Sequence, residues 1–337
     1  MRTSSVRMLL VLLALLLCVG AAPALMSCTQ GTTPGPGMPE LRFWQIVWDG
    51  LDRTFATYTP ASLTTPAPIV FVLHGGFGSA TVIWNGEDGR SWKALADQHG
   101  FFLVLPEGRP DPSNPGSHHW NDCRSDQNNA EAISSADDVG FISHLIDLAA
   151  ARVAIDPSRV YVAGASNGGM MTYRLAMQLG NRLAAAGAMI ANLPDPSECP
   201  FSAEPIPILI MNGTADPIMP YAGGCVAGPT CDRGRVRSTD ATVAFWVGSN
   251  GAATTPEQVA LPDVVVSDLS TVSQFTYRGG ASGKDVLFYR VNNGGHQIPG
   301  PDPVSLAQIR VGGPKNRDID APATIWQFFE AHPRTGM

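Results

Sequence analysis

Short runs of mostly apolar residues recur along the chain, and stretches with helical periodicity separate them. The runs cover residues 69–73, 102–105, 160–163, 208–211 and 286–291. Continuous apolarity, in place of strict alternation, predicts strands that are buried on both faces, as in a parallel sheet. Strands that alternate with helices predict an α/β protein with right-handed crossovers.

Helical patterns occupy the segments between those runs, at residues 92–99, 138–153, 168–179 and 325–332. The second of them starts with acidic residues, which stabilise a helix N-terminus. A further, weaker candidate for a strand lies at residues 185–190. This order of elements indicates helices packed on both faces of one sheet.

Near the start of the folded part, residues 43–49 and 53–59 alternate apolar and polar positions around Asp49-Gly50. An Asp-Gly pair between alternating runs predicts an antiparallel hairpin. Residues 252–275 have a weak pattern with some strand character, and we interpret them as an insertion. The expected architecture is a mostly parallel central sheet with helices on both faces and an N-terminal antiparallel hairpin, in a single catalytic domain over residues 41–337.

The first residues of the chain have the features of a secretory leader. Two arginines precede the uncharged apolar run Met8–Val19, which is too short to span a membrane. The sequence Leu25-Met26-Ser27-Cys28 resembles a bacterial lipobox, in which Cys28 becomes the lipidated first residue. Ordinary signal cleavage near residues 22–24 is the alternative.

We therefore expect an exported protein, either extracellular or held as a lipoprotein at a bacterial cell surface, with a signal peptide over residues 1–27. Residues 28–40 are rich in Gly, Pro and Thr and predict a flexible tether. A lipid on Cys28 would be the only contact with a membrane that the sequence predicts.

The cysteines agree with export. Of the six, Cys18 lies in the leader and Cys28 is the lipidation candidate, so Cys123, Cys199, Cys225 and Cys231 remain. An even set in an exported chain predicts two disulfides, for which three pairings exist. Cys225 and Cys231 bracket a Gly/Pro loop and could close it locally, which would leave Cys123 with Cys199. A metal site is the alternative, but no CxxC or HxxxH spacing accompanies these cysteines, so we expect no metal.

Charge narrows the class of partner. The chain has 22 Lys and Arg against 29 Asp and Glu, a formal net charge of −7, and it contains no basic run. This balance argues against nucleic acid as a ligand. A neutral or modestly polar substrate fits best, and we expect a monomer.

A candidate nucleophile lies where the third apolar run gives way to a helix. The sequence Gly164-Ala-Ser166-Asn-Gly168 has the pattern G-x-S-x-G at a strand-to-helix turn. A serine at such a sharp turn has a strained backbone, so its neighbours must be small. The helix that begins behind it directs free N–H groups towards developing negative charge. We therefore predict that Ser166 is a nucleophile; a helix-capping serine in a Gly-rich turn is the alternative.

A serine nucleophile requires a histidine and a carboxylate, which follow it in the order Asp, His in this type of fold. Asp216 and His296 each come directly after a predicted strand, where ligand sites of open α/β sheets collect. We expect His296 to accept the proton of Ser166 and Asp216 to orient the imidazole. Asp195, in a Pro-rich loop, is the alternative carboxylate.

The first core strand leads into a Gly-rich turn, Leu73-His-Gly-Gly-Phe-Gly78. Such a turn exposes backbone N–H groups that can stabilise an oxyanion. We predict that the N–H groups of Gly76 and Asn167 form this oxyanion hole.

Four aromatic residues are candidates for flanking a shallow cleft, although such residues more often belong to a core: Phe77, Trp84, Trp120 and Trp246. No organic cofactor is expected.

At these residues the chain resembles the poly(3-hydroxybutyrate) depolymerase-like, or LpqC-like, esterases, which are relatives of the feruloyl and acetylxylan esterases of carbohydrate esterase family 1. The resemblance is carried by LHGGFGSA (73–80), LADQHGFFLVLPEG (95–108), DDVGFISHLID (137–147), DPSRVYVAGASNGGMMTYRLA (156–176) and LIMNGTADPIMPYAGG (209–224). It spans nearly the whole mature chain and implies an α/β-hydrolase fold.

The resemblance further implies Ser166, Asp216 and His296 as a catalytic triad, and Trp120 and Met170 as residues that line the acyl or alcohol site. The chain departs from many relatives at residues 250–252, Asn-Gly-Ala, where they carry Asn-Gly-Cys. Its disulfide pairing is therefore expected to differ from theirs. No polymer-binding module follows the hydrolase domain, which argues against an insoluble polymer as substrate.

The expected function is that of a secreted serine ester hydrolase that forms an acyl-enzyme on Ser166. The substrates would be small, oligomeric or polymeric esters of hydroxyalkanoate, acetyl or feruloyl groups. Two alternatives are a peptidase on the same scaffold, which an inserted lid or propeller would favour, and a non-catalytic surface binding protein. The latter requires a broken triad, whereas Ser, Asp and His are all present.

Overall fold

The computed structural model describes residues 27–28, 39–112, 114–125, 136–201, 204–279 and 283–335. Nearly all of the predicted leader and of the predicted tether lies outside these ranges, as does the side chain of Cys28 that the lipidation hypothesis concerns. In the part of the chain that is described, no helix combines the length and the apolar character needed to cross a bilayer.

The strands are β1 (Ser27–Cys28), β2 (Glu40–Trp48), β3 (Leu51–Thr59), β4 (Ala67–Leu73), β5 (Phe102–Pro106), β6 (Arg109–Asp111), β7 (Asn114–His119), β8 (Ile155–Ala165), β9 (Ala185–Met189), β10 (Ile208–Gly213), β11 (Gly224–Cys225), β12 (Arg235–Val236), β13 (Glu257–Ala260), β14 (Thr271–Tyr277) and β15 (Val286–Asn292). The helices are α1 (Ala80–Asn85), α2 (Glu87–His99), α3 (Asp138–Arg152), α4 (Asn167–Gln178), α5 (Thr239–Ser249), α6 (Leu306–Gly312) and α7 (Ala321–Ala331), with a 3₁₀ turn at Val266–Asp268.

Eleven strands form one sheet in the order β1-β2-β3-β5-β4-β8-β9-β10-β15-β14-β13. The six strands from β5 to β15 are parallel, and β1, β2 and β3 extend one edge in antiparallel fashion. The predicted fold class is therefore confirmed, including the N-terminal hairpin. All the parallel strands run in the same direction. The loops that follow their carboxyl ends therefore lie together along one side of the sheet.

At the lateral edge of the sheet opposite β1, the structure differs from the expectation of an insertion. Residues 252–275 do not lie outside the sheet, because they contribute β13 and most of β14. β14 pairs antiparallel with β15, and β13 pairs antiparallel with β14. All four residues of β13 are exposed, so this strand lacks the apolar face that periodicity detects.

Helices cover both faces of the sheet, and side chains of each apolar run pack against the helices on both faces. Along β4, Ile69, Phe71 and Leu73 pack into one buried cluster, together with residues of α3, α4 and α5. Val70 and Val72 pack into the opposite cluster, with residues of α1, α2 and α7. Because both faces of the strand are covered, every position of β4 is apolar and buried.

Candidate active site

The G-x-S-x-G segment forms the expected strand-to-helix turn. Ser166 lies between the end of β8 and the start of α4 with φ 56° and ψ −123°, outside the regions that most L-residues adopt. A β-carbon on Gly164 would collide with the Gly168 carbonyl, and one on Gly168 with the His74 carbonyl. The turn therefore requires glycine on both sides of the serine.

Ser166, His296 and Asp216 form a hydrogen-bonded chain. The Ser166 Oγ lies 2.9 Å from His296 Nε2, and His296 Nδ1 lies 2.7 Å from Asp216 Oδ2. The other carboxylate oxygen, Oδ1, accepts the backbone N–H groups of Ile218 (2.8 Å) and Met219 (2.7 Å). Since a carboxylate faces Nδ1, that nitrogen carries the proton, and Nε2 is left as the acceptor for the serine hydroxyl.

The loops that carry the acid and the base are joined to each other. The Ala215 N–H donates to the Gly294 carbonyl (2.9 Å), and the Gly295 N–H donates to the Pro314 carbonyl (2.7 Å). A β-carbon on Gly295 would collide with the Gly312 backbone. The Gly-Gly pair before His296 thus lets two loops approach closely enough to fix the imidazole.

Asp195, the alternative carboxylate, has no hydrogen bond to His296. Its side chain is exposed, and its backbone N–H pairs with the Arg235 carbonyl at 2.9 Å. Asp216 is therefore the carboxylate that the structure brings to the histidine.

The predicted oxyanion donors flank the serine. Among the described residues, neither the Gly76 nor the Asn167 N–H has a hydrogen-bond acceptor, and a β-carbon on Gly76 would lie 3.7 Å from the Asn167 side chain. Asn167 is the first residue of α4, where a helix leaves N–H groups free. Among the described residues, two donors without an acceptor thus lie close together, one of them on the residue that follows Ser166, and an oxyanion requires such a pair.

His74, which the sequence analysis did not single out, fixes the oxyanion turn. Its Nε2 accepts the Gly108 N–H (3.0 Å), so its Nδ1 carries the proton that is donated to the Gly75 carbonyl at 2.7 Å. Burial lowers the pKa of His74 to about 3, with smaller contributions from the charges of His118 and His119. This imidazole is neutral at physiological pH. The signal in the sequence was a histidine at the end of an otherwise apolar strand.

The side chain of Asn167 has a separate structural role. Its Oδ1 accepts the Trp120 N–H (2.7 Å), and its Nδ2 donates to the Trp120 carbonyl (3.1 Å) and to Asp122 Oδ2 (2.7 Å). The Trp120 indole donates to the His74 carbonyl at 2.9 Å, and its ring stacks on that of His74. These bonds tie the nucleophile turn to the oxyanion turn.

Four of the residues expected near substrate lie elsewhere. Trp120 and Met170 are each 1% exposed and belong to the core beneath the site, which corrects the expectation that they line it. Trp246 is fully buried, and Trp84 packs on Tyr58. Aromatic and Met side chains fill cores as readily as they form sites, and the sequence does not separate these roles.

A cavity of about 470 Å³ opens over Ser166 and His296. Phe77, which is 49% exposed, lines it as expected. Phe77 has a φ of 63° and is held between the edge of His119 and the guanidinium of Arg233, at 4.5 and 4.4 Å between centres. The cavity is large enough for a small ester.

Both disulfides expected from the cysteine count are present, as Cys123–Cys199 and Cys225–Cys231. Within the described ranges, no three His, Cys, Asp or Glu side chains are grouped so that they could hold a metal ion.

The sheet and the strand–serine–helix turn identify the molecule as an α/β-hydrolase. Residues 61–231 match the family described as phospholipase/carboxylesterase, and the chain belongs to this family. The expectation of a carboxylic ester hydrolase is confirmed at the level of the family.

Three relatives illustrate the similarity. NocK of Nocardia uniformis subsp. tsuyamanensis, which carries the name of an esterase, is 29% identical over 76% of this chain and 73% of its own. A poly(3-hydroxybutyrate) depolymerase of Ralstonia pickettii is 36% identical over 42% of this chain and 30% of its own. Feruloyl esterase B of Neurospora crassa is 38% identical over 34% of this chain and 36% of its own. The chain thus spans about a third of the length of the latter two.

Among solved structures, acetyl xylan esterase from Aspergillus awamori superimposes with a TM-score of 0.51 at 15% identity. The match covers 83% of this chain and 94% of that one. At this level of identity it supports the fold alone.

Proposed function

We propose that this protein is an exported serine esterase that cleaves carboxylic esters through an acyl-enzyme on Ser166. The observation that carries the proposal is the hydrogen-bonded chain from Ser166 Oγ through His296 to Asp216, with separations of 2.9 and 2.7 Å. In the first step, Ser166 Oγ attacks the ester carbonyl carbon while His296 Nε2 takes its proton. Asp216 stabilises the imidazolium that forms.

The N–H groups of Gly76 and Asn167 stabilise the negative oxygen of the tetrahedral intermediate. When the intermediate collapses, the bond to the alcohol oxygen breaks and His296 returns the proton to that oxygen. Water then attacks the acyl-enzyme with His296 as base, and the acid is released as Ser166 regains its proton.

The substrate is proposed to be a hydroxyalkanoate, acetyl or feruloyl ester, since relatives carry the names of poly(3-hydroxybutyrate) depolymerase, acetylxylan esterase and feruloyl esterase. Two disulfides support an oxidising compartment, as expected after export. We further propose that a lipid on Cys28 holds the protein at the cell surface.

The test uses p-nitrophenyl acetate and butyrate with the wild type and Ser166→Ala. We expect the variant to lose about 10⁴-fold or more in kcat, because it lacks the nucleophile. A fluorophosphonate should add one adduct to Ser166 in the wild type. Ser62→Ala is the matched control and should keep full activity. Ser62 lies in the loop before β4, at the opposite end of that strand from the oxyanion turn. Equal turnover by Ser166→Ala and the wild type would refute the proposal.

A further inference from the structure

One part of the cavity wall is polar, although the residues around it are apolar. Val82, Ile83, Ile190 and Ile298 line the same cavity as Ser166 and His296. Beside them lies a group that we name the polar wall, formed by Glu87, Asp88, Ser91, Lys315 and Asp320. The proposed mechanism uses none of these five side chains.

Most of the polar wall is satisfied by its own contacts. Lys315 Nζ forms an ion pair with Glu87 and donates to the Asp302 carbonyl at 3.0 Å. Ser91 Oγ donates to Asp320 Oδ2 (2.8 Å), and Asp320 Oδ1 caps α7 by accepting the Ala323 N–H at 3.0 Å. These groups therefore have little need of a ligand.

Asp88 is the exception. Among the described residues no side chain donates a hydrogen bond to its carboxyl group, and the backbone N–H groups near it belong to its own helical turn. Burial raises the pKa of Asp88 to about 6, with a further contribution from Glu87 that Lys315 opposes. A largely enclosed carboxyl group that faces a cavity gains most from a donor that a ligand brings.

The surroundings decide which donor fits. Glu87 and Asp320 on the same wall repel a second carboxylate, whereas Lys315 opposes a cation. A neutral hydroxyl group is repelled neither by the two carboxylates nor by Lys315, and it can donate a hydrogen bond to the carboxyl group of Asp88. We infer that Asp88 is a specificity residue that accepts a hydrogen bond from a hydroxyl group on the acyl or alcohol part of the ester; this rests on the proposed esterase function.

The expected size of the effect follows from the chemistry of the contact. A hydrogen bond between a neutral donor and a charged acceptor favours the hydroxylated ester by roughly 10- to 100-fold in kcat/KM over the ester that lacks the hydroxyl. An ester that places a carboxylate against this wall should be the poorest substrate.

The experiment compares paired substrates in the mature protein. Ethyl esters of ω-hydroxy acids with about three to eight carbons are measured against the plain alkanoates of equal length, and ω-hydroxyalkyl butyrates against plain alkyl butyrates. The series samples both sides of the ester and a range of distances from Ser166. The measured quantity is the ratio of kcat/KM within each pair, from which any general change in activity cancels.

The wild type should prefer at least one hydroxylated ester by roughly 10-fold or more, and Asp88→Leu should bring that ratio close to one. Asp88→Asn, which keeps an acceptor oxygen but loses the charge, should retain only part of the preference. The matched control is Asp302→Asn, whose carboxylate pairs with Arg90 at the surface and should leave the ratio unchanged.

Two results would overturn the inference: a wild-type ratio near one for every pair, or the same ratio in Asp88→Leu as in the wild type. If the plain esters are still cleaved in a Ser166-dependent manner, only the role of Asp88 is refuted. Absence of any Ser166-dependent cleavage would overturn the proposed function together with this inference.

Discussion

The buried ion pair between Arg53 and Asp138 offers a quantitative test of how the fold supports the site. The two residues are 85 positions apart, and their side chains are 1% and 0% exposed. Arg53 donates to Asp138 Oδ1 at 2.6 Å, and Asp138 Oδ2 accepts the Asn121 N–H at 2.8 Å. The carboxylate thus joins β3, α3 and the loop that carries Trp120.

Asp138→Asn keeps the shape of the side chain and removes its charge. Arg53 then stays buried without a counter-charge, since its other contacts among the described residues, the Glu107 carbonyl (3.1 Å) and the Phe141 ring (4.0 Å to its centroid), carry none. Leaving one member of a buried pair without its counter-charge costs about 3–5 kcal/mol. The new amide also places an NH₂ group against one of the two donors, Arg53 or the Asn121 N–H. We therefore expect the free energy of unfolding to fall by an amount in this range and not by less.

The measurement is urea-induced unfolding followed by tryptophan fluorescence. Asp147→Asn, on the same helix, is the control, because Asp147 pairs with Arg182 with 66% of its side chain exposed and should cost less than about 1 kcal/mol. Replacing both partners, as in Arg53→Met with Asp138→Leu, should destabilise less than Asp138→Asn alone. A loss below about 1 kcal/mol in Asp138→Asn would show that the pair contributes less than its burial implies.

Two further predictions concern pH and attachment to a membrane. Since the ionised carboxylate is the stronger acceptor and the pKa of Asp88 is about 6, the preference for a hydroxylated ester should fall about threefold or more between about pH 7.5 and about pH 5. A general loss of activity in acid slows both members of a pair and cancels in the ratio, so a preference that stays constant or rises in acid would contradict the role of Asp88. For the lipid anchor, the wild type should partition into detergent and Cys28→Ala into water; equal partitioning of both would contradict lipidation.

The general architecture and the order of the site residues were accessible from the sequence. Strands buried on both faces are apolar throughout, as at residues 69–73, and this signal is local. Ser166, Asp216 and His296 each follow such a strand, so their meeting at one edge is a consequence of parallel topology. The prediction needed only the strand positions and the direction of the chain.

Other features depend on contacts that no local pattern encodes. The pairing of Arg53 with Asp138 and the bonds from the Asn167 side chain to Trp120 span 85 and 47 positions. Asp137 caps α3 through the Gly140 N–H, in agreement with the acidic start predicted for this helix, whereas Asp138 is fully buried against Arg53. The expectation that Trp120 and Met170 line the site was wrong for the same reason. Whether a side chain is buried depends on elements that are distant in sequence.

The neutral state of His74 has a consequence for the acid stability of the protein. The unfolded chain takes up a proton on this histidine below its ordinary pKa near 6.5, whereas the folded protein does not do so until about pH 3. Between these values the unfolded state binds more protons, so the free energy of unfolding falls as the pH falls, by up to about 1.4 kcal/mol per unit from this one group. The histidine that fixes the oxyanion turn therefore also limits how acidic a medium the enzyme tolerates.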